Sequence, residues 1–307
     1  MNDQDSEGKQ GPADQPIAES RPAEPGGSEQ RQRLSVARPM REIRAPADRI
    51  LPPMGRVGAF FQLLVVMGVW LGLLLWAKSA PPETVPPVEE RGYLIYVSVL
   101  IQGLLALGLI AGTLWVSGQS WRTIGFTWRK TLGHEAGWAA LGLMAVYGIL
   151  LLSGVALMFL PEEYVNQIVQ ERKELFETFP AIPFAAVATV MMFVGIYEEV
   201  LFRGLILTRL RLLLGDWRGN WATAVVLSSA LFGVLHLYEG YVAVVQIALV
   251  SLVFSVLFIY RGSLIAPILA HAAFNTINMT LAFNEDLQRF LQDYQPAQTI
   301  LAILLGG

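Results

Sequence analysis

Long apolar runs dominate this sequence and restrict what the chain can fold into. A helix needs ~20 mainly apolar residues to cross the ~30 Å hydrocarbon core of a bilayer. We identify seven such runs, which are Gly58–Ala77, Gly92–Val116, Ala136–Leu160, a run that begins near Ala181, Trp221–Leu237, Tyr241–Tyr260 and Leu264–Phe283. Because helices satisfy their backbone hydrogen bonds internally, the runs predict an all-α polytopic membrane bundle of about seven to eight transmembrane helices. The short stretch Thr299–Leu305 is predicted to be interfacial or half-inserted.

The overall composition agrees with a membrane protein. Hydrophobic residues make up 54% of the chain, charged residues only 15%, and the mean hydropathy is +0.48. Soluble domains contain roughly 25% charged residues. The chain has no cysteine, which excludes disulfides, thiolate metal sites and thiol nucleophiles. Its three histidines are His134, His236 and His271. His134 adjoins Glu135 at a predicted membrane boundary, and we interpret it as interfacial.

Residues 1–57 differ in composition from the membrane domain at 58–307. They are rich in Pro, Gly, Gln, Glu and Arg, and few large apolar side chains precede Leu51. Such a segment buries too little surface to offset its ordering entropy, so it is predicted to be a disordered tail. If the tail lies inside, the predicted inner loops hold Arg122, Arg129, Lys130, Arg203, Arg209, Arg211, Arg218 and Arg261. This positive-inside bias predicts a multi-pass cell-membrane protein with a cytoplasmic N-terminus.

The fourth apolar run contains an adjacent pair of carboxylates, Glu198 and Glu199. A charge at membrane depth costs at least a few kcal/mol, so it is rarely kept without a partner or a task. Successive helical residues point ~100° apart, so the two carboxylates face different points. Arg203 follows Glu199 by four residues, which predicts an intrahelical ion pair. We therefore expect Glu199 and Arg203 to support the helix and Glu198 to be available for general acid–base chemistry.

His236 is the expected partner of Glu198. Gly215–Gly219 is a plausible turn, and Trp217 lies 19 residues after Glu198 and 19 residues before His236. Two straight helices leaving that turn would bring both side chains to a similar depth. A carboxylate and an imidazole on either side of one water molecule form a general-base arrangement.

The last run contains His271 and Asn275, which share a helical face at i,i+4 spacing. Donors fixed in a low-dielectric cavity can stabilise the oxyanion of a tetrahedral intermediate. Alternatively, Glu198, His236 and His271 could ligate a divalent metal such as zinc, although the H-E-x-x-H pattern is absent. No cofactor is firmly predicted. The polar residues could also be a structural ion-pair and hydrogen-bond network.

Three ordered motifs carry a resemblance to a known family. They are E-E-x-x-x-R at Glu198–Arg203, F-x-x-x-H at Phe232–His236 and H-x-x-x-N at His271–Asn275. Over about residues 181–280 the chain resembles the CAAX prenyl proteases and bacteriocin-processing enzymes, also called the abortive-infection family. The resemblance implies a multi-helix membrane fold around a polar cavity that cleaves peptides near the bilayer surface.

The resemblance also implies a role for each motif residue. Glu198 and His236 would activate water, His271 and Asn275 would stabilise the oxyanion, and Glu199 and Arg203 would support them. We therefore expect an intramembrane endopeptidase with a metal-free, glutamate-dependent mechanism. Its partners would be the lipid bilayer and a peptide or protein substrate, including a membrane-anchored one, with no nucleic acid. The alternatives are a catalytically idle peptide-binding or immunity-type protein of the same fold and a proton-coupled transporter, which the absence of an internal repeat disfavours.

Overall fold

The computed structural model of the chain describes residues 51–78, 92–128, 130–177 and 179–284. These residues form nine α-helices and no strand, and all of them belong to the compact unit that begins at Arg44. The helices are α1 (Arg56–Lys78), α2 (Leu94–Val116), α3 (Leu132–Leu157), α4 (Glu162–Glu177), α5 (Phe184–Glu199), α6 (Thr208–Leu214), α7 (Asn220–Leu235), α8 (Tyr241–Arg261) and α9 (Ile265–Ala282). The run Thr299–Leu305 and most of the predicted tail lie outside the described residues.

Six helical stretches in this part of the chain are long and apolar enough to cross a membrane. Five are the single helices α1, α2, α3, α8 and α9, and the sixth is the 31-residue stretch Phe184–Leu214. The remaining predicted run, Trp221–Leu237, forms α7, which is apolar but only 16 residues long. The polytopic helical bundle is confirmed, and one of its predicted spans is a shorter helix.

The helices that hold the motif residues lie in the interior of the bundle. α5 packs along α9, α7 forms an antiparallel hairpin with α8, and α3 packs on both α8 and α9. In the spans formed by α1, α2 and α3, only 22% of residues are buried, against 50–61% in the three later spans. The first three helices therefore turn much of their apolar surface towards lipid, which explains why they are hydrophobic on all sides.

A π-helix, Val200–Leu207, follows α5 directly and continues into α6. All eight of its residues are buried. Gly204 makes a close approach to the loop after α2, because a Cβ atom there would lie 3.0 Å from the carbonyl oxygen of Ile124. π-helices use i→i+5 hydrogen bonds and often mark functional sites. Here the change of helical period begins immediately after the two glutamates.

Three arginines that we assigned to inner loops are buried inside the stretch Phe184–Leu214, so that assignment was wrong for Arg203, Arg209 and Arg211. Arg203 lies in the π-helix and Arg209 in α6, and both are fully buried. Arg209 donates to neutral oxygens of Gln62 (2.9 Å), Thr208 (2.7 Å) and Gln119 (2.7 Å). These hydrogen bonds tie α6 to α1 and to the loop after α2, and they satisfy a guanidinium that water does not reach.

Candidate active site

Glu199 and Arg203 form the predicted ion pair. The Arg203 Nη1 atom lies 2.8 Å from Oε1 of Glu199, and both side chains are fully buried. The other end of the guanidinium donates to the hydroxyl and the carbonyl of Ser251 on α8, at 2.9 and 3.1 Å. Arg203 also lies over the rings of Phe232 and Phe254, at 4.9 and 5.5 Å from their centroids. A buried cation needs such partners, because a lone charge in an apolar interior is strongly unfavourable.

His271 on α9 contacts both glutamates. Its Nδ1 atom lies 2.8 Å from Oε1 of Glu199, and its Nε2 atom lies 3.5 Å from Oε2 of Glu198. A ring nitrogen at 2.8 Å from a carboxylate oxygen carries a proton, so Nδ1 is the donor to Glu199. Glu199 therefore accepts from Arg203 and from His271 on the same oxygen. This pair of contacts fixes the orientation of the imidazole ring.

Glu198 is the more accessible of the two glutamates. Its side chain is 14% exposed, whereas that of Glu199 is fully buried. The hydroxyl of Tyr197 donates to its Oε1 atom at 3.1 Å. Glu198 thus has one hydrogen-bond donor and one imidazole neighbour, and within the described ranges no arginine or lysine pairs with it. This agrees with the expectation from helical phase that Glu199 pairs with Arg203 and that Glu198 is available for chemistry.

His236 is the C-terminal cap residue of α7. Its Nδ1 atom lies 2.8 Å from the carbonyl oxygen of Phe232, one helical turn earlier. A carbonyl oxygen only accepts, so Nδ1 carries the proton and Nε2 keeps a free lone pair. No direct hydrogen bond joins His236 to Glu198 in the described part of the chain, so the expected pairing requires a bridging water.

One cavity of about 120 Å³ contains all four residues that the motifs single out for chemistry. Its polar lining consists of Glu198, His236, Tyr238, Glu239, His271 and Asn275. Its apolar lining consists of Val194, Phe232, Ile247, Val250, Phe254 and Phe274. A water molecule occupies roughly 30 Å³ of the liquid, so the cavity has room for several waters among polar partners. The roles of the four residues remain a prediction.

Sequence reasoning missed two charged residues at this site. Glu239 lines the cavity from the turn after α7, and Arg172 on α4 lies 3.2 Å from its Oε2 atom. Arg172 also donates to Gln246 at 3.3 Å and is 4% exposed. Burial lowers the pKa of Arg172, and the carboxylate of Glu239 opposes that shift. One feature of the sequence could have indicated this pair: Glu239 is a charged residue in the short break between two apolar runs.

The zinc alternative finds no support in the arrangement of ligands. Across the residues that the structure describes, no three His, Cys, Asp or Glu side chains converge in a way that could hold a metal ion. Glu198, His236 and His271 share the cavity without forming such a group. His134 is exposed near the start of α3, as expected for an interfacial residue.

Residues 180–277 match the family model described as Rce1-like, type II CAAX prenyl endopeptidase. The matched segment runs from the residues before α5 into α9 and contains all three motifs. The resemblance drawn from the motifs is therefore confirmed. No curated protein and no solved structure matches the chain.

Proposed function

We propose that the chain is an intramembrane endopeptidase, because residues 180–277 match the family model described as Rce1-like, type II CAAX prenyl endopeptidase. It hydrolyses a peptide bond near the membrane surface with water that Glu198 and His236 activate. The observation that carries this proposal is that one cavity is lined by Glu198, His236, His271 and Asn275 together. An apolar bundle rarely holds ionisable groups at depth without a task.

The first step is the attack of water on the scissile carbonyl. A water molecule in the cavity donates one hydrogen bond to Nε2 of His236 and gives its proton to the carboxylate of Glu198. Its oxygen forms a bond to the carbonyl carbon, and the carbonyl electron pair moves to the oxygen. Positioned general-base catalysis of this kind contributes roughly 10²–10⁴-fold to the rate.

The second step is the collapse of the tetrahedral intermediate. The oxyanion accepts hydrogen bonds from Nε2–H of His271 and from the side-chain amide of Asn275. As the C–N bond breaks, Glu198 returns its proton to the leaving amine nitrogen. Glu199 holds the His271 ring by its Nδ1 atom, so that Nε2–H points to the cavity. Preorganised donors in a water-poor site stabilise such charge strongly.

The test uses the purified full chain and a proteome-derived peptide mixture, with products identified by mass spectrometry. We expect the wild type to cleave peptides and Glu198→Gln to lose at least about 100-fold of that activity, because its amide cannot accept the proton. Glu174→Gln is the matched control, since Glu174 is an exposed glutamate on α4. Unchanged cleavage by Glu198→Gln would contradict the proposal.

Two further measurements distinguish the proposed peptidase from a peptide-binding protein and from a metal-dependent enzyme. Wild-type protein that captures peptides without cleaving any would support the idle peptide-binding protein instead. Cleavage is also measured after exhaustive chelation. We expect it to persist, and a loss that added zinc reverses would contradict the metal-free mechanism.

A further inference from the structure

The two ends of the bundle carry opposite charge. One end, here called the basic end, contains the starts of α1, α3, α7 and α9 and the ends of α2, α6 and α8. Three contacts join these parts, because Arg56 lies against Gly215, Arg261 pairs with Glu135 at 2.7 Å, and Ser263 donates to the carbonyl of Thr127. Its described cations are Arg56, Arg122, Lys130, Arg211, Arg218 and Arg261, and its described acids are Glu135 and Asp216.

The opposite end, here called the acidic end, contains α4 and the turn between α7 and α8. These two segments hold six glutamates, against only Arg172 and Lys173. The Arg172–Glu239 ion pair joins α4 to the turn. On the same side, the Tyr96 hydroxyl near the start of α2 donates to the carbonyl of Pro180 ahead of α5.

The catalytic cavity opens towards the acidic end. Tyr238 and Glu239 line it from the turn that α4 contacts, and Tyr238 is 65% exposed. His236 lies at the same end, at the last turn of α7. The residues that line the cavity from α8 lie in its middle third, between Ile247 and Phe254, so the interior of the cavity is at mid-depth in the bundle.

Towards the basic end the cavity is closed. Glu199, Arg203 and Ser251 form a buried layer beneath it, in which Arg203 donates to both of the other residues. The rings of Phe232 and Phe254 cover the guanidinium in that layer. The eight buried residues of the π-helix then continue towards the basic end.

We infer that the site faces the non-cytoplasmic side of the membrane and takes peptide segments presented there. Arg and Lys flanking membrane spans are retained on the cytoplasmic side, which places the basic end in the cytoplasm and the cavity mouth outside. The substrates are then secreted peptides or the external segments of membrane-anchored proteins. A lipidated tail in the cytoplasmic leaflet would meet the closed end. The substrate part of this inference rests on the proposed endopeptidase activity, whereas the orientation does not.

Cysteine labelling tests the orientation. The native chain has no cysteine, so one introduced thiol is unique. Tyr164 on α4 and Trp217 in the turn after α6 are a matched pair of aromatic residues, 55% and 53% exposed. With a membrane-impermeant maleimide on intact cells, we expect labelling of Tyr164→Cys and none of Trp217→Cys until the cells are permeabilised. The reverse pattern would overturn the inference.

A reporter assay tests the substrate side. The peptide that the purified protein cuts most readily from the proteome-derived mixture is placed on either side of a single-span reporter. We expect cleavage of the outward-facing reporter only, and loss of that cleavage with Glu198→Gln. Cleavage of the cytoplasmic reporter would overturn the inference and leave the endopeptidase proposal intact. If the purified protein cuts no peptide, the endopeptidase proposal fails, and the labelling result alone decides the orientation.

Discussion

Arg203 balances the charge of the glutamate pair from within the same helical stretch. It contacts Glu199 directly, and among the described residues Arg203 is the one arginine or lysine in ion-pair contact with either glutamate. His271 contacts both glutamates through its two ring nitrogens. The stability of the bundle and the readiness of Glu198 for chemistry therefore depend on the same buried cluster.

Replacing Arg203 by methionine removes the charge and keeps a long apolar side chain. We expect Arg203→Met to lower the free energy of unfolding by about 3–5 kcal/mol, because it leaves a buried carboxylate without its partner. The measurement is an unfolding titration of the purified protein in mixed micelles. Arg218→Gln is the control, since Arg218 is exposed in a turn and its loss should change the same quantity by about 0.5 kcal/mol or less. Equal changes in the free energy of unfolding for the two variants would contradict the role of Arg203 as the partner of the buried carboxylate.

The packing of α5 on α9 brings His271 to the glutamates. Gly195 makes this close approach possible, because a Cβ atom there would lie 3.2 Å from both the amide nitrogen of Ala272 and the carbonyl oxygen of Ile268. Those atoms belong to the backbone of α9 and cannot rotate away. Gly195 lies one turn before Glu198, and Ala272 follows His271, so this contact sets the distance between the two sides of the site.

We expect Gly195→Val to push α9 away from α5 and to reduce kcat/KM about 100-fold, because a displacement of ~1 Å at a catalytic site has effects of that size. The control is Gly148→Val in α3, where a Cβ atom would meet nothing within 4 Å. Both changes place the same β-branched residue in a helix, so their difference isolates the packing contact. The comparison is made with the peptide that the purified wild type cleaves. Equal activity of the two variants would show that the close approach is unnecessary.

For the molecule as a whole, sequence reasoning recovered what depends on apolar length and on local spacing. Run lengths placed the long spans, and the i,i+4 spacing predicted the pair of Glu199 and Arg203. Hydropathy carries no information on the phase of hydrogen bonding, so the π-helix Val200–Leu207 was missed. The search for apolar runs also missed α4, because the exposed faces of this helix are polar. The position of His271 between the two glutamates results from tertiary packing, which a single sequence does not contain.

The described structure is not uniformly stable, and α4 is its most weakly held helix. Outside the apolar spans, α4 exposes most of its side chains, and its principal described contact is with the turn Leu237–Glu239. Arg172 is the exception, since it is buried and bonded to Glu239 and Gln246. Helices with few buried contacts open locally at a lower free energy than the core. The ion pair should therefore control how often α4 separates from the turn Leu237–Glu239.

We expect Arg172→Gln to lower the protection of α4 amides from hydrogen exchange by roughly 10–100-fold, because a hydrogen bond between charged groups contributes about 1.5–3 kcal/mol. Protection of α5 and α9 should not change, since neither helix depends on α4. Exchange is followed by mass spectrometry on the full chain in detergent. Glu174→Gln serves as the control, because Glu174 bonds only within α4, to Gln170 at 2.7 Å. If α4 keeps its full protection in Arg172→Gln, contacts other than the ion pair hold it against the turn Leu237–Glu239.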